Sequence, residues 1–351
     1  IGGGSTVTGT FTNGGSGGIT NSTDGAFTIG GLTSFISSSG VNAGAGKLAI
    51  TTGNATFQDG HSETGAVTYN AGTLTEERTG AGGTYSGDYG TTNLATNAGG
   101  VFTTGGNTET DGNFTHDSTG RVTVAAGHTL EANTITNTAG SGGITVGAGS
   151  TLSGTGNTLN NNATIDVAAG GTLTDVGAIN NNATGIINFA DGGTLAADTD
   201  SSGDNLVNQG DLNINGGTVV VALGAGTIQN SGAGTIDIAA GATMTANNAI
   251  TNSGTAAITL AAGSNLNATR GLTNGSTAPV GVNIGAGANL NATSQNVING
   301  QGGASTMTNA GTITANIVDN NAGATLNTTG TINATTSVTN DGTINAAGSI
   351  N

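Results

Sequence analysis

The chain of 351 residues carries 67 Gly, one Pro, no Cys and no Trp, with 4 Lys+Arg against 20 Asp+Glu and a formal net charge of -16. Charged residues are 7% of the total, where roughly a quarter is ordinary. The four cations Lys47, Arg78, Arg121 and Arg270 are scattered, so no basic patch exists to grip a phosphate backbone and nucleic acid is excluded as a partner.

No apolar run approaches the roughly 18 to 20 residues of a membrane-spanning helix, so no membrane insertion of this segment is expected. The absence of Cys removes disulfides, thiolate metal sites and thiol catalysis. Gly, Ser, Thr and Asn in such numbers are also the composition of disordered linkers. Against disorder stand an apolar fraction of 34% and the regular spacing of Val, Ile and Leu.

The chain begins at Ile1 in mid-pattern, and any secretion signal is expected to lie outside it. Residues 1–120 are the less regular part. They hold most of the aromatics, namely Phe11, Phe27, Phe35, Phe57, Tyr69, Tyr85, Tyr89, Phe102 and Phe114, together with alternating stretches such as Lys47 to Thr52. This part reads as a β-rich version of the repeat that follows, with insertions; a separate β domain is the competing reading.

From Arg121 onward one phrase recurs: Val122 to Leu130, Ile144 to Leu152, Ile165 to Leu173, Ile187 to Leu195, Ile236 to Met244, Ile258 to Leu266 and Val282 to Leu290, with a copy one residue shorter at Leu212 to Val219. Its order is apolar, polar, apolar, small, small, Gly, any, Thr or Asn, apolar. The marker glycines Gly127, Gly149, Gly170, Gly192, Gly216, Gly241, Gly263 and Gly287 are 21 to 25 residues apart, and Gly311, Gly330 and Gly348 continue the series at 19 and 18. A period near twenty with variation confined between phrases is the mark of a solenoid.

A second element falls between the phrases: an apolar residue followed by Asn, as in Ile135-Thr-Asn137, Leu206-Val-Asn208, Ile228-Gln-Asn230, Ile250-Thr-Asn252, Leu272-Thr-Asn274, Ile298-Asn299 and Val338-Thr-Asn340. Each repeat thus contains two or three short strands of period two, and no 3.6-residue period points to helix. The predicted fold for residues 121–351 is all-β, a parallel β-helix with coils of about 18–25 residues. In it the marker glycines form positive-φ corners, and Asn137, Asn208, Asn230, Asn252, Asn274, Asn299 and Asn340 form an internal amide ladder like those of stacked cross-β structures.

Carbohydrate-active enzymes also use this fold, so carboxylate pairs were sought in the outward column Thr123, Thr145, Asp166, Asn188, Asn213, Asp237, Thr259 and Asn283. Asp166 and Asp237 are three coils apart, roughly 14 Å at 4.8 Å per coil, whereas glycosidase pairs need roughly 5 to 9.5 Å. No enzyme, cofactor or metal site is therefore expected. His61, His116 and His128 lack partners at ligand spacing, and Asp111, His116 and Asp117 read as a solvated turn. The Asn-Ala-Thr sequons at Asn54, Asn162, Asn182, Asn267, Asn291 and Asn333 read as a repeated turn phrase. Thr-x-Thr pairs such as Thr134 and Thr136 suggest an ice-binding face but are not expected to align in one column.

The phrases Ala163 to Leu173 (ATIDVAAGGTL) and Thr339 to Asn345 (TNDGTIN) resemble the repeats of secreted bacterial β-helical surface proteins, the passenger regions of autotransporters and filamentous-haemagglutinin-like adhesins. The Asn-Pro-Asn-Gly-Ile-type signature of two-partner-secretion domains is absent. The resemblance implies an extracellular, surface-displayed, non-enzymatic structural or adhesive protein. Its partners would be a host or neighbouring-cell surface, a matrix polysaccharide, or other copies of itself. A self-assembling filament subunit and a phage tail-spike or fibre are the alternatives.

Overall fold

An Ile-x-Val segment buries two side chains on one side and leaves its backbone N–H and C=O groups pointing sideways, where strands above and below must pair them. Here those strands are the equivalent segments one turn earlier and one turn later. The structure is a computed structural model describing residues 10–351 except 15–17, 22–25, 80–82, 90, 157, 198–204 and 302. It is all-β, one long parallel sheet wound into a β-solenoid of about 14 turns.

From Val122 to Ile284 each turn supplies three strands, exemplified by Thr164–Val167, Thr172–Asp175 and Ala178–Asn181. We call their stacks the first, second and third faces. On the first face Ile144, Ile165, Ile187, Leu212, Ile236, Ile258 and Val282 align in one inward column. Leu130, Leu152, Leu173 and Leu195 do so on the second, and Ile135, Leu159, Ile179, Leu206, Ile228, Ile250 and Leu272 on the third. All are buried, and each contributes on the order of 1.5–3 kcal/mol by leaving water.

Towards the C-terminal side the second and third strands of a turn run together as Asn289–Asn299, Thr312–Asn320 and Thr331–Asn340. The register slips between Ala292 and Asn296 and again between Ala315 and Ile317. A bulge replaces the corner between those faces, which is how the repeat shortens there.

The irregular first part shares the same stacking. Its strands are longer (Ala26–Ser37, Gly40–Phe57 and Ser62–Glu76) but pair in parallel. One register column passes from Asn13 through Ser37, Phe57, Glu76, Thr96 and His116 into Asn137 without a break. The difference lies in the filling. Tyr85 stacks on Phe102 at 4.2 Å between ring centroids and Phe102 meets Phe114 edge-on at 5.2 Å, where later turns use mainly aliphatic side chains, with Phe189 an aromatic among them.

Of the marker glycines, Gly127, Gly149, Gly170, Gly192, Gly241, Gly263 and Gly287 adopt φ between 64° and 76°. In the shortened copy the corner is Gly217 at φ 50°, not Gly216. Counting from the paired Ile214 and Ile238, the corner falls three residues on, so the missing residue lies after the corner. A Cβ at Gly149 would meet nothing within 4 Å. Gly149→Ala should therefore cost only the left-handed backbone penalty, about 1–2 kcal/mol, and Gly216→Ala less than about 0.5 kcal/mol. Urea midpoints of the two variants check this, and equal losses would contradict the corner assignment.

Candidate functional site

A primary amide sealed from water needs partners for two N–H groups and a carbonyl. The third face supplies them by repetition. Asn137 donates to the Oδ1 of Asn161 at 2.7 Å, Asn161 to Asn181 at 2.8 Å, and the chain of amides continues through Asn208, Asn230, Asn252, Asn274, Asn299 and Asn320 to Asn340 at 2.7–3.0 Å per step. The second N–H is also used: Asn208 donates to the Thr235 carbonyl at 2.7 Å and Asn230 to that of Ala257 at 2.9 Å. Every member except Asn340 is buried.

All seven asparagines named from the sequence stand in this column, and the structure adds Asn161, Asn181 and Asn320. The first two sit in Asn-Asn-Asn runs whose last member opens a sequon, and the turn reading of those runs hid the ladder position. Preceding Asn299 it is Val297 that points inward and Ile298 that points out. The step from Asn181 to Asn208 spans 27 residues, beyond the expected coil length, and residues 198–204 within it lie outside the described residues.

Upstream the column changes chemistry. Asn13 donates to Ser37 Oγ at 3.0 Å, and His61 Nδ1 lies 2.7 Å from the same oxygen. The fully buried carboxylate of Glu76 accepts from the Arg78 backbone N–H at 2.6 Å, from the Arg78 guanidinium at 2.5–2.9 Å and from the Tyr85 hydroxyl at 2.5 Å. Arg78 also lies over the Phe57 ring at 5.4 Å and donates to the His61 carbonyl at 3.1 Å. Burial, then the Glu76 charge, pushes the Tyr85 hydroxyl well up. For Arg78 burial opposes the charge, but the hydrogen bonds and field of Glu76 and Tyr85 outweigh it and hold the guanidinium above its ordinary range. The cluster is consumed by its own pairing.

His116 takes the ladder position before Asn137. Its Nδ1 is 2.6 Å from Thr96 Oγ1. Burial pushes its pKa down to about 4, against smaller upward effects of the Gly143 backbone and Asp117. His128 lies near Thr104 at the corner between the first and second faces, and among the described residues no three His, Asp or Glu side chains converge as a metal site.

The outward side chains form ladders too. On the first face Arg121 reaches Thr145 Oγ1 and Asp166, Asn188 donates to Asp166 Oδ1 at 2.8 Å, and Asn213 donates to Asn188 at 2.8 Å. Glu131 stacks on Glu109; burial and then the charges of Glu109 and Asp111 raise its carboxyl pKa. On the second face polar pairs separated by one inward residue align, as a mixture of Thr and Asn and not as a column of Thr-x-Thr: Thr243/Thr245, Asn265/Asn267, Asn289/Asn291, Thr312/Thr314 and Thr331/Asn333. Thr and Asn alternate between turns, so no single residue type repeats in the sequence to mark these pairs.

The inner amides donate towards later turns, whereas the outer ones donate towards earlier turns, as Asn267 does to Thr245 and Asn291 to Asn267. No family model, no curated protein and no solved structure matches the chain. Its class is that of the β-solenoid repeat proteins.

Asn230→Ala strands an N–H of Asn208 and the Oδ1 of Asn252, and should cost about 2–3 kcal/mol. Asn340→Ala, at an exposed position, should cost under about 1 kcal/mol; urea denaturation of both gives the comparison. The unfolded chain takes up a proton at His116 near the ordinary 6.5, the folded chain not until about 4. The stability due to neutral His116 is thus full above pH 6.5 and lost as pH falls towards 4. His116→Asn should flatten this window in a pH series of urea midpoints relative to the unaltered chain.

Proposed function

We propose that the chain is an extracellular, non-enzymatic structural and adhesive rod, of the kind found in secreted bacterial β-helical surface proteins. The observation that carries this reading is the continuity of the stack. From Asn13 to Asn340 every turn is keyed to the next through one buried register column, while the outward residues form polar columns that change in composition without disturbing it. Such a body spans distance and presents surface.

The distribution of reactive groups favours the same reading. Glu76, Arg78 and Tyr85 are spent on one another, and Asp166 is bound to Arg121 and Asn188. The repeat phrases resembling autotransporter passengers and filamentous adhesins supply the extracellular setting.

The purified chain, immobilised on beads, is expected to retain bacterial or host cells above an albumin-coated control while releasing no reducing ends or unsaturated uronates from a panel of polysaccharides. Cleavage of any polysaccharide, or retention no better than albumin, would remove the proposal. Electron microscopy is expected to show short rods; long fibres would favour the filament subunit instead.

A further inference from the structure

We propose that the second face from Thr243 to Asn351 is a docking surface for a neutral polysaccharide chain lying along the solenoid axis; this rests on the adhesive role proposed above and names its partner. The outward residues of this stretch are Thr243/Thr245, Asn265/Asn267, Asn289/Asn291, Thr312/Thr314, Thr331/Asn333 and Ser349/Asn351, two in-register columns over six successive turns. None is charged, aromatic or aliphatic. Over the same turns the first face begins with Asp237 and Ala257 and becomes a comparable Thr/Asn strip only from Asn283 onward, and Ile298 and Asp319 interrupt the third, so the second face carries the longest unbroken strip.

The asparagine-bearing pairs hold their neighbours in place. Asn265 donates to Thr243 Oγ1 at 3.3 Å and Asn289 to Asn265 at 2.9 Å; in the second column Asn267 donates to Thr245 at 3.2 Å, Asn291 to Asn267 at 3.0 Å, and Asn351 to Asn333 at 3.0 Å. An amide in the middle of such a column uses one N–H and one lone pair on its neighbours and retains one of each for solvent or ligand. The ladder thus presents oriented donors and acceptors whose side-chain freedom is already lost, which lowers the ordering cost of binding.

The chemistry of these free valences selects the partner. A sugar hydroxyl is both donor and acceptor and meets either kind of group. Charge selects further: the face is neutral and the molecule carries -16, so a polyanion is repelled and nothing on the face attracts a polycation. Six turns at about 4.8 Å extend roughly 24 Å, a long flat strip suited to a polymer gaining contacts unit by unit. Hydroxyl and amide heads differ in reach from turn to turn, so the strip has an uneven height that suits a flexible chain better than a rigid ice lattice.

The test is affinity electrophoresis of the full chain in gels containing dextran, hydroxyethylcellulose, galactomannan or polygalacturonate, with ice uptake measured alongside. The unaltered chain should be retarded by at least one neutral polysaccharide and not by polygalacturonate. Thr245→Glu combined with Asn291→Glu should weaken that binding by at least about tenfold, and Thr251→Glu with Thr273→Glu on the third face should leave it within about twofold. Circular dichroism and urea midpoints establish that each variant is folded, and Asn291→Asp serves if the double variant is not. No retardation by any neutral polysaccharide, preference for polygalacturonate, equal loss from both faces, or ice uptake without polysaccharide binding would each overturn the assignment. Cell retention by the unaltered beads distinguishes that failure from failure of the adhesive role itself.

Discussion

A carboxamide shut away from water stabilises a fold only while something completes its hydrogen bonds, and in this chain that something is the same residue one turn away. The ladder from Asn137 to Asn340 therefore makes register obligatory. A strand slipped by one residue would bring an outward side chain into the column and strand amides on both sides, each at a cost of about 1–3 kcal/mol. The aliphatic columns of Ile, Leu and Val supply most of the burial, but apolar contacts tolerate sliding; the amides do not. Length variation is consequently pushed into the corners, where the backbone can loop without moving the three strands.

This constraint explains why so much of the fold is legible in the sequence. The phrase Ile165 to Leu173 repeats because its inward atoms meet their own kind, and an interaction of like with like writes a period into the sequence. What escaped notice did so for definable reasons. Asn161 and Asn181 sat in runs of three asparagines, where spacing alone cannot tell which one faces in. Gly216 and Gly217 are neighbours, and only pairing to the adjacent turn decides which bears the left-handed backbone. The second-face columns were invisible because Thr and Asn substitute freely there, outward positions being matched by hydrogen-bonding capacity and not by identity.

The first part shows what happens when the column persists but its chemistry varies. Ser37, Phe57, Glu76, Thr96 and His116 cannot repeat one bond as asparagines do: Thr96 pairs with His116 within the column, whereas Ser37 draws on His61 and Glu76 on Arg78 and Tyr85 from outside it. These are one-off solutions, and one-off solutions leave no repeat. Irregularity of sequence here reflects heterogeneous partners inside a continuous architecture.

The opposed directions of the inner and outer amides carry a consequence for how the rod can grow. The inner ladder is a file of aligned dipoles with a head and a tail, and the surface ladders run the other way beside it. Their antiparallel arrangement lets the fields offset, so the stack can lengthen without accumulating a large axial dipole. At the same time each turn can seat in one sense only, because a reversed turn would set donor against donor inside and acceptor against acceptor outside. The molecule is vectorial, and assembly that begins at any turn carries the instruction for which way the next must face.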